Sequence, residues 1–190
     1  MDNNYIFQYW EAIQNGTVTV GKWIRTIYKI LVNGLKSGKW DYDEGKAEKA
    51  IKFIENFCHH SEGRNDLLKL ELWQKAIVSA IFGIMDKKTG YRQFREVFIV
   101  VARKNGKTLF AAAIAAYMTY IDGEYGAKVY FLAPKLDQAE LVYDAFYQIV
   151  QADDELDSIT KKRRSDIYIK EFNTSCLLYT SDAADDRISV

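Results

Sequence analysis

Arg103-Lys104-Asn105-Gly106-Lys107-Thr108 is the stretch whose residue types and spacing most directly suggest chemistry. A glycine followed by a lysine and a hydroxyl residue, at the start of a helix, is what a phosphate-binding P-loop uses. Backbone N–H groups of the turn and of the helix N-terminus would point at one spot, where the helix dipole favours negative charge. Lys107 would reach the β- and γ-phosphates as a point charge, and the Thr108 hydroxyl would ligate Mg2+. The same lysine and metal stabilise the charge that develops in phosphoryl transfer. The glycine pattern departs from the usual one. The position five residues before Gly106 is Val101. An ordinary strand–turn–helix connection with an exposed lysine is the alternative reading.

Such a loop needs elements to hold it. Residues 97–102 are apolar and largely β-branched, which predicts a strand running into the loop, and the alanine-rich residues 109–116 predict the helix that leaves it. Asp122 to Gly126 reads as a turn. Residues 128–133 predict a second strand, stopped by Pro134, the only proline. Asp137 is placed to cap a helix over 138–150 that carries Ala139, Val142, Ala145, Phe146 and Ile149 on one face. Residues 166–171 alternate in the manner of a third strand. This alternation of strands and helices predicts an α/β fold of the P-loop NTPase type, a parallel sheet flanked by helices with ligands at the strands' carboxyl ends. Lys107 and Gln138 would sit at that edge. Lys161-Lys162-Arg163-Arg164 reads as a solvated loop, or more sharply as a contact to a nucleic-acid backbone.

Upstream, residues 1–65 read as a helical extension. Residues 5–13 are apolar on most sides and stop at Asn15-Gly16. Val20, Trp23, Ile24, Ile27, Ile30 and Leu31 form a helical stripe. Asp43 is positioned to cap a third helix with Ala47, Ala50, Ile51, Ile54 and Phe57 on one face. These helices predict a small packed layer without chemistry. His59 and His60, the only histidines, have no third ligand nearby and suit the C-terminal end of a helix better than a metal. A further helix opens at Leu72-Trp73-Gln74. Spacing alone makes Gln74 an exposed helix residue, although its amide could pair with adenine by donating and accepting. Trp73 suits either a site or the core, and Asp86 to Gly90 reads as a polar loop.

Composition narrows the class. The chain has 190 residues, 48% hydrophobic and 27% charged, with 26 basic and 26 acidic side chains. A chain of that size buries roughly 70% of its unfolded surface. Zero net charge offers no global field toward nucleic acid or membrane, so any DNA contact would come from a local patch. Cys58 and Cys176 lack a paired spacing, which suggests neither a disulfide framework nor a zinc knuckle. The N-terminus has no basic n-region, and the most apolar run, residues 109–121, is too short to span a bilayer. The expectation is a soluble protein of the cytoplasm.

From about residue 42 to residue 174 the chain resembles the ATPase half of the large terminase subunit of tailed bacteriophages. The matching pieces occur in order: residues 49–55, Leu72-Trp73-Gln74, Ile81-Phe82-Gly83, residues 91–95, the Arg103 to Thr108 loop, and residues 133–139 with Asp137-Gln138-Ala139. P-loops of that family often depart from the strict glycine pattern, so Val101 becomes part of the likeness. The resemblance implies that Gln74 recognises adenine and that Lys107 and Thr108 are the Walker A pair. It also implies that Arg103 contacts the γ-phosphate, with Lys104, Asn105 and Gly106 completing the ATP–Mg2+ loop. It implies a motor, acting in the host cytoplasm, that hydrolyses ATP to drive double-stranded DNA into a procapsid and cut it. Its partners would be the portal and the small terminase subunit, and it would act as a homo-oligomeric ring with no membrane.

The family also carries a Walker B strand ending in Asp-Glu and a nuclease domain with clustered carboxylates. Neither is found after Ala133, so the chain reads as a truncated ATPase portion with little hydrolysis of its own. Residues 66–175 would be a partial ATPase domain. Residues 176–190 depart from the family pattern and read as a non-native tail resembling a translated sequencing adapter. That tail is expected to be disordered or a loose edge strand, and its Asp182, Asp185 and Asp186 are not a metal site. The alternatives are another P-loop enzyme, a helicase-like translocase or a kinase, and a non-catalytic nucleotide-binding module.

Overall fold

The computed structural model describes residues 4–60, 66–163 and 166–180. The chain forms two compact units, the first from residues 1–52 and 69–100, the second from residues 53–68 and 101–190.

In the first unit, α1 (Tyr5–Gln14) starts where the Asn4 side chain accepts the N–H groups of Ile6 and Phe7, satisfying two donors the helix leaves open. It ends at Asn15, followed by Gly16 in the left-handed region, as the sequence predicts. Ile6, Tyr9 and Ile13 are buried against Tyr28, Leu31 and Val32 of α2 (Lys22–Lys36), with the Tyr9 and Tyr28 rings edge to face at 4.7 Å. The α2 stripe read from the sequence is not the face that packs. Leu31 is buried, but Trp23, Ile24, Ile27 and Ile30 are exposed. The reason lies in α1, whose apolar side chains cover the adjoining face of Tyr28, Leu31 and Val32.

Two short strands, β1 (Asp41–Tyr42) and β2 (Ile84–Met85), pair antiparallel. Between them come α3 (Glu44–Phe57), which continues into the second unit, and α4 (Leu72–Gly83). Asp43 caps α3 as expected: its carboxylate accepts the Lys46 N–H at 2.9 Å. Ala47, Ala50, Ile51 and Ile54 are buried. His59 and His60 lie just past the end of α3.

The second unit is a mixed α/β layer. Helix α5 (Lys107–Tyr120) is followed by β3 (Lys128–Ala133), α6 (Leu136–Gln151), α7 (Asp154–Ile159), β4 (Thr160–Lys162), β5 (Asp166–Ile169) and β6 (Thr174–Thr180). The sheet order is β3-β6-β5-β4, with β3 and β6 parallel and the other pairs antiparallel. Helices α5 and α6 pack on each other and on β3 and β6. Phe131 of β3 meets Tyr143 and Phe146 of α6, and Phe146 stacks with Tyr120 of α5. Phe146, Ile149, Ile167, Ile169 and Cys176 are fully buried. A buried phenylalanine such as Phe146 contributes about 1.5–3 kcal/mol.

Several expectations are corrected. Residues 97–102 are not a strand, and Phe98 is 93% and Val100 80% exposed. A strand needs a neighbour for its N–H and C=O groups, and among the described residues this segment has none. Helix α6 is capped at Lys135 rather than Asp137, which already has helical backbone and lies in the first turn, where its charge suits the helix dipole. Lys161 and Lys162 are in β4, drawn into a hairpin by pairing with Tyr168 and Ile167. Arg163 follows, 3.6 Å from Asp166, with its guanidinium over Tyr168; Arg164 lies outside the described residues. Thr174–Thr180 is neither loose nor at an edge. It runs between β3 and β5, because Cys176 and its neighbours supply the pairing both strands lack. Asp182, Asp185 and Asp186 lie outside the described residues.

Candidate functional site

The loop from Ala102 to Gly106 makes two backbone excursions. Lys104 (φ 65°) and Gly106 (φ 64°) are both left-handed. Lys104 bears a side chain, so this conformation carries a strain of about 1–2 kcal/mol. Asn105 holds the turn closed. Its amide donates to the carbonyls of Ala102 (3.3 Å) and Arg103 (3.2 Å). The sequence groups Asn105 with residues expected to contact a ligand; in the structure its amide holds the loop backbone.

Gly106 is the N-cap of α5, and its carbonyl accepts the Phe110 N–H at 2.9 Å. Glycine has no side chain to cap with, and no side-chain cap is made. The first N–H groups of a helix have no partner within it, so Lys107, Thr108 and Leu109 present theirs at an open helix start. Arg103, Lys104 and Lys107 are exposed, Thr108 is half-buried, and among the described residues no carboxylate pairs with these three cations. Three uncompensated positive charges and a positive dipole end therefore share one turn. Chemically this is an acceptor for an anion, and phosphate is the anion such ends hold best. The donor set fits a nucleotide's phosphates: N–H groups, ammonium and guanidinium as donors, and a hydroxyl able to ligate a hard cation.

Helix α5 fixes this end in place. Phe110, Ala112, Ala113, Ala116, Tyr117 and Tyr120 are buried, so the helix is held along its length.

Gln74 is a residue of the first unit and the loop belongs to the second. Contrary to its expected exposure, Gln74 is buried. Its Oε1 accepts the Glu71 N–H at 2.9 Å while the Glu71 side chain accepts from the Gln74 backbone, a reciprocal cap that starts α4. Glu-x-x-Gln before an apolar run was the available signal, although the usual capping residue is a serine or threonine. Trp73 packs partly buried against the first unit's core. Gln138 is exposed in the first turn of α6.

The family profile described as terminase large subunit, ATPase domain, matches residues 72–187. The chain belongs to the large terminase ATPase-domain family. Among solved structures, this terminase chain is similar to the large terminase of bacteriophage HK97, with a TM-score of 0.62 and 24% identity. The likeness covers 72% of this chain and 28% of that one, so the terminase chain spans just over a quarter of the HK97 protein's length. At that identity the likeness speaks for the fold. No curated protein matches the chain. Among the described residues no helix is long and apolar enough to cross a membrane.

Proposed function

We propose that residues 103–108 form the nucleotide-binding loop of an ATPase motor that packages double-stranded DNA. The observation carrying this reading is the uncapped start of α5, with Lys107 and Thr108 as its first two residues and Gly106 left-handed before them. The loop's N–H groups and Lys107 would hold the ATP phosphates, Thr108 would contribute to Mg2+, and Arg103 would neutralise charge on the terminal phosphate. When bound, Mg2+ would draw charge from the phosphate oxygens. Lys104 and Asn105 would shape the turn, with Asn105 keeping it closed. Gln74 is the proposed adenine contact. Its Oε1 is committed to the Glu71 N–H, so its amide N–H groups would carry that contact.

Family membership supports the wider reading. The complete protein would hydrolyse ATP in the host cytoplasm, act as a ring on duplex DNA, and meet a portal and a small terminase subunit. Residues 66–175 would supply part of the ATPase domain. Carboxylates that orient water and cut DNA would lie elsewhere in the complete protein.

The test is thermal denaturation with and without Mg2+–ATP, comparing wild type with Lys107→Ala. Ligand at a hundred times its Kd stabilises by about 2.7 kcal/mol, so wild type should melt higher with nucleotide and the variant should not. Equal shifts in both proteins would overturn the assignment of Lys107.

A further inference from the structure

The charge of this neutral chain is unevenly spread. Between Glu11 and Asp41 it carries five cations, Lys22, Arg25, Lys29, Lys36 and Lys39, and no carboxylate. Four of the five lie on α2. At about 100° per residue, Lys22, Arg25, Lys29 and Lys36 fall within about 60° of arc, a straight row about 21 Å long. All four are exposed.

The row stands apart from the apolar side chains of the helix. On one side it borders the buried face of Tyr28, Leu31 and Val32, and on the other Thr26 and Asn33, which are polar and exposed. The exposed stripe of Trp23, Ile27 and Ile30 points about 140° away from it. What this face offers a partner is positive charge and polar groups alone.

Among the described residues none of the four cations pairs with a carboxylate. Lys22 and Arg25 at i, i+3, and Arg25 and Lys29 at i, i+4, repel one another. The ammonium groups at the two ends are held against rings, Lys22 5.0 Å from the Trp23 centroid and Lys36 5.8 Å from that of Phe7. A row of like charges, placed and unpaired, is relieved by an anion that runs alongside it.

We infer that this face of α2 lies along the phosphate backbone of duplex DNA, a choice of polyanion that rests on the packaging function proposed for the complete protein. A stretch of duplex as long as the row carries about twelve phosphates. A single strand is held with aromatic rings that stack its bases, and the arc of the row contains none. A protein interface has an apolar core, and a helix lying on a membrane sinks apolar residues beneath its cations. Here the apolar side chains are turned away or buried. Phosphate contacts of this kind fix position without reading sequence.

The test is fluorescence anisotropy of a labelled duplex of mixed sequence, titrated with the full chain at several salt concentrations. Four neutralised phosphates predict that log K falls against log salt with a slope of about −3.6 or steeper. Arg25→Gln/Lys29→Gln should weaken binding alike for all duplex sequences and make that slope shallower by about 1.8. Ile27→Gln/Ile30→Gln, on the apolar stripe, should change neither. Melting temperatures of both variants report that the fold persists. An undiminished slope in Arg25→Gln/Lys29→Gln, or a slope lost instead with Lys161→Gln/Lys162→Gln, overturns the inference and leaves the packaging reading standing. Failure of wild type to bind duplex at low salt overturns it too, while the Mg2+–ATP shift of the same preparation reports on the nucleotide loop separately. Binding to polyglutamate or to phosphatidylserine-containing vesicles as tight as that to duplex overturns it as well.

Discussion

Helices α2 and α5 are almost equal in length, 15 and 14 residues, and both carry enough apolar side chains to belong in a core. Their fates differ. Helix α5 is apolar nearly all round and is buried along its length, as such helices are. Helix α2 has sharply separated faces, yet three of its largest apolar residues stand in solvent. Periodicity reports which residues share a side of a helix. It does not report which neighbour arrives to cover that side. In α2 the angle between the exposed stripe and the buried one is modest, so the side chains of α1 decide which becomes core. In α5 there is little to decide.

Substitutions in the two helices should therefore differ in scale. The largest effect is expected from Phe110→Ala in the first turn of α5, where removal of a side chain only 3% exposed should cost about 3–5 kcal/mol. Urea denaturation would measure it, and a loss below about 1 kcal/mol would mean α5 is held far more loosely than its burial indicates. Next is Gly34→Ala. Alanine favours a helix over glycine by about 1 kcal/mol, but the new methyl would strike the Trp40 indole, and overpacking costs about 1–3 kcal/mol. A lowered melting temperature is expected; a raised one would show that Trp40 moves aside freely. The smallest effect is expected from Ile30→Gln, within about 0.5 kcal/mol by the same denaturation, because this surface is already wet. A loss comparable to that of Phe110→Ala would erase the contrast between the helices.

The same contrast explains what was legible in the sequence. Helices α1, α3, α4, α5 and α6 and strands β3 and β5 were readable because their signals are local: a cap at Asp43, a stop at Asn15-Gly16, alternation at 166–169. What was misread depends on partners distant in the chain. Residues 97–102 have the composition of a strand, but composition provides no neighbouring ladder. Residues 174–180 look unpromising by themselves, yet β3 and β5 each offer them an edge. At the candidate site, Gly106-Lys107-Thr108 at a helix start was plain from residue types. The turn-closing hydrogen bonds of Asn105 and the left-handed Lys104 were not, because asparagine and lysine are compatible with many loop shapes. Gln74 was expected in solvent because its helix position looked peripheral; the reciprocal cap with Glu71 turns it inward.

The place of β6 also sets an order of events. It lies between β3 and β5 but follows both along the chain, and its parallel pairing joins Lys128 to Ser175, far apart in sequence. The β4–β5 hairpin can close early because its strands are neighbours, and so can the contact of α5 with α6. The sheet as a whole must wait for its central strand, and long-range parallel pairing is slow. During synthesis from the N-terminus, β3 would emerge with both edges open. What the arrival of β6 closes is one of those edges; Tyr130 and Leu132 stay exposed even in the finished sheet. The chain would then be most prone to sticking to other chains just before its sheet is complete.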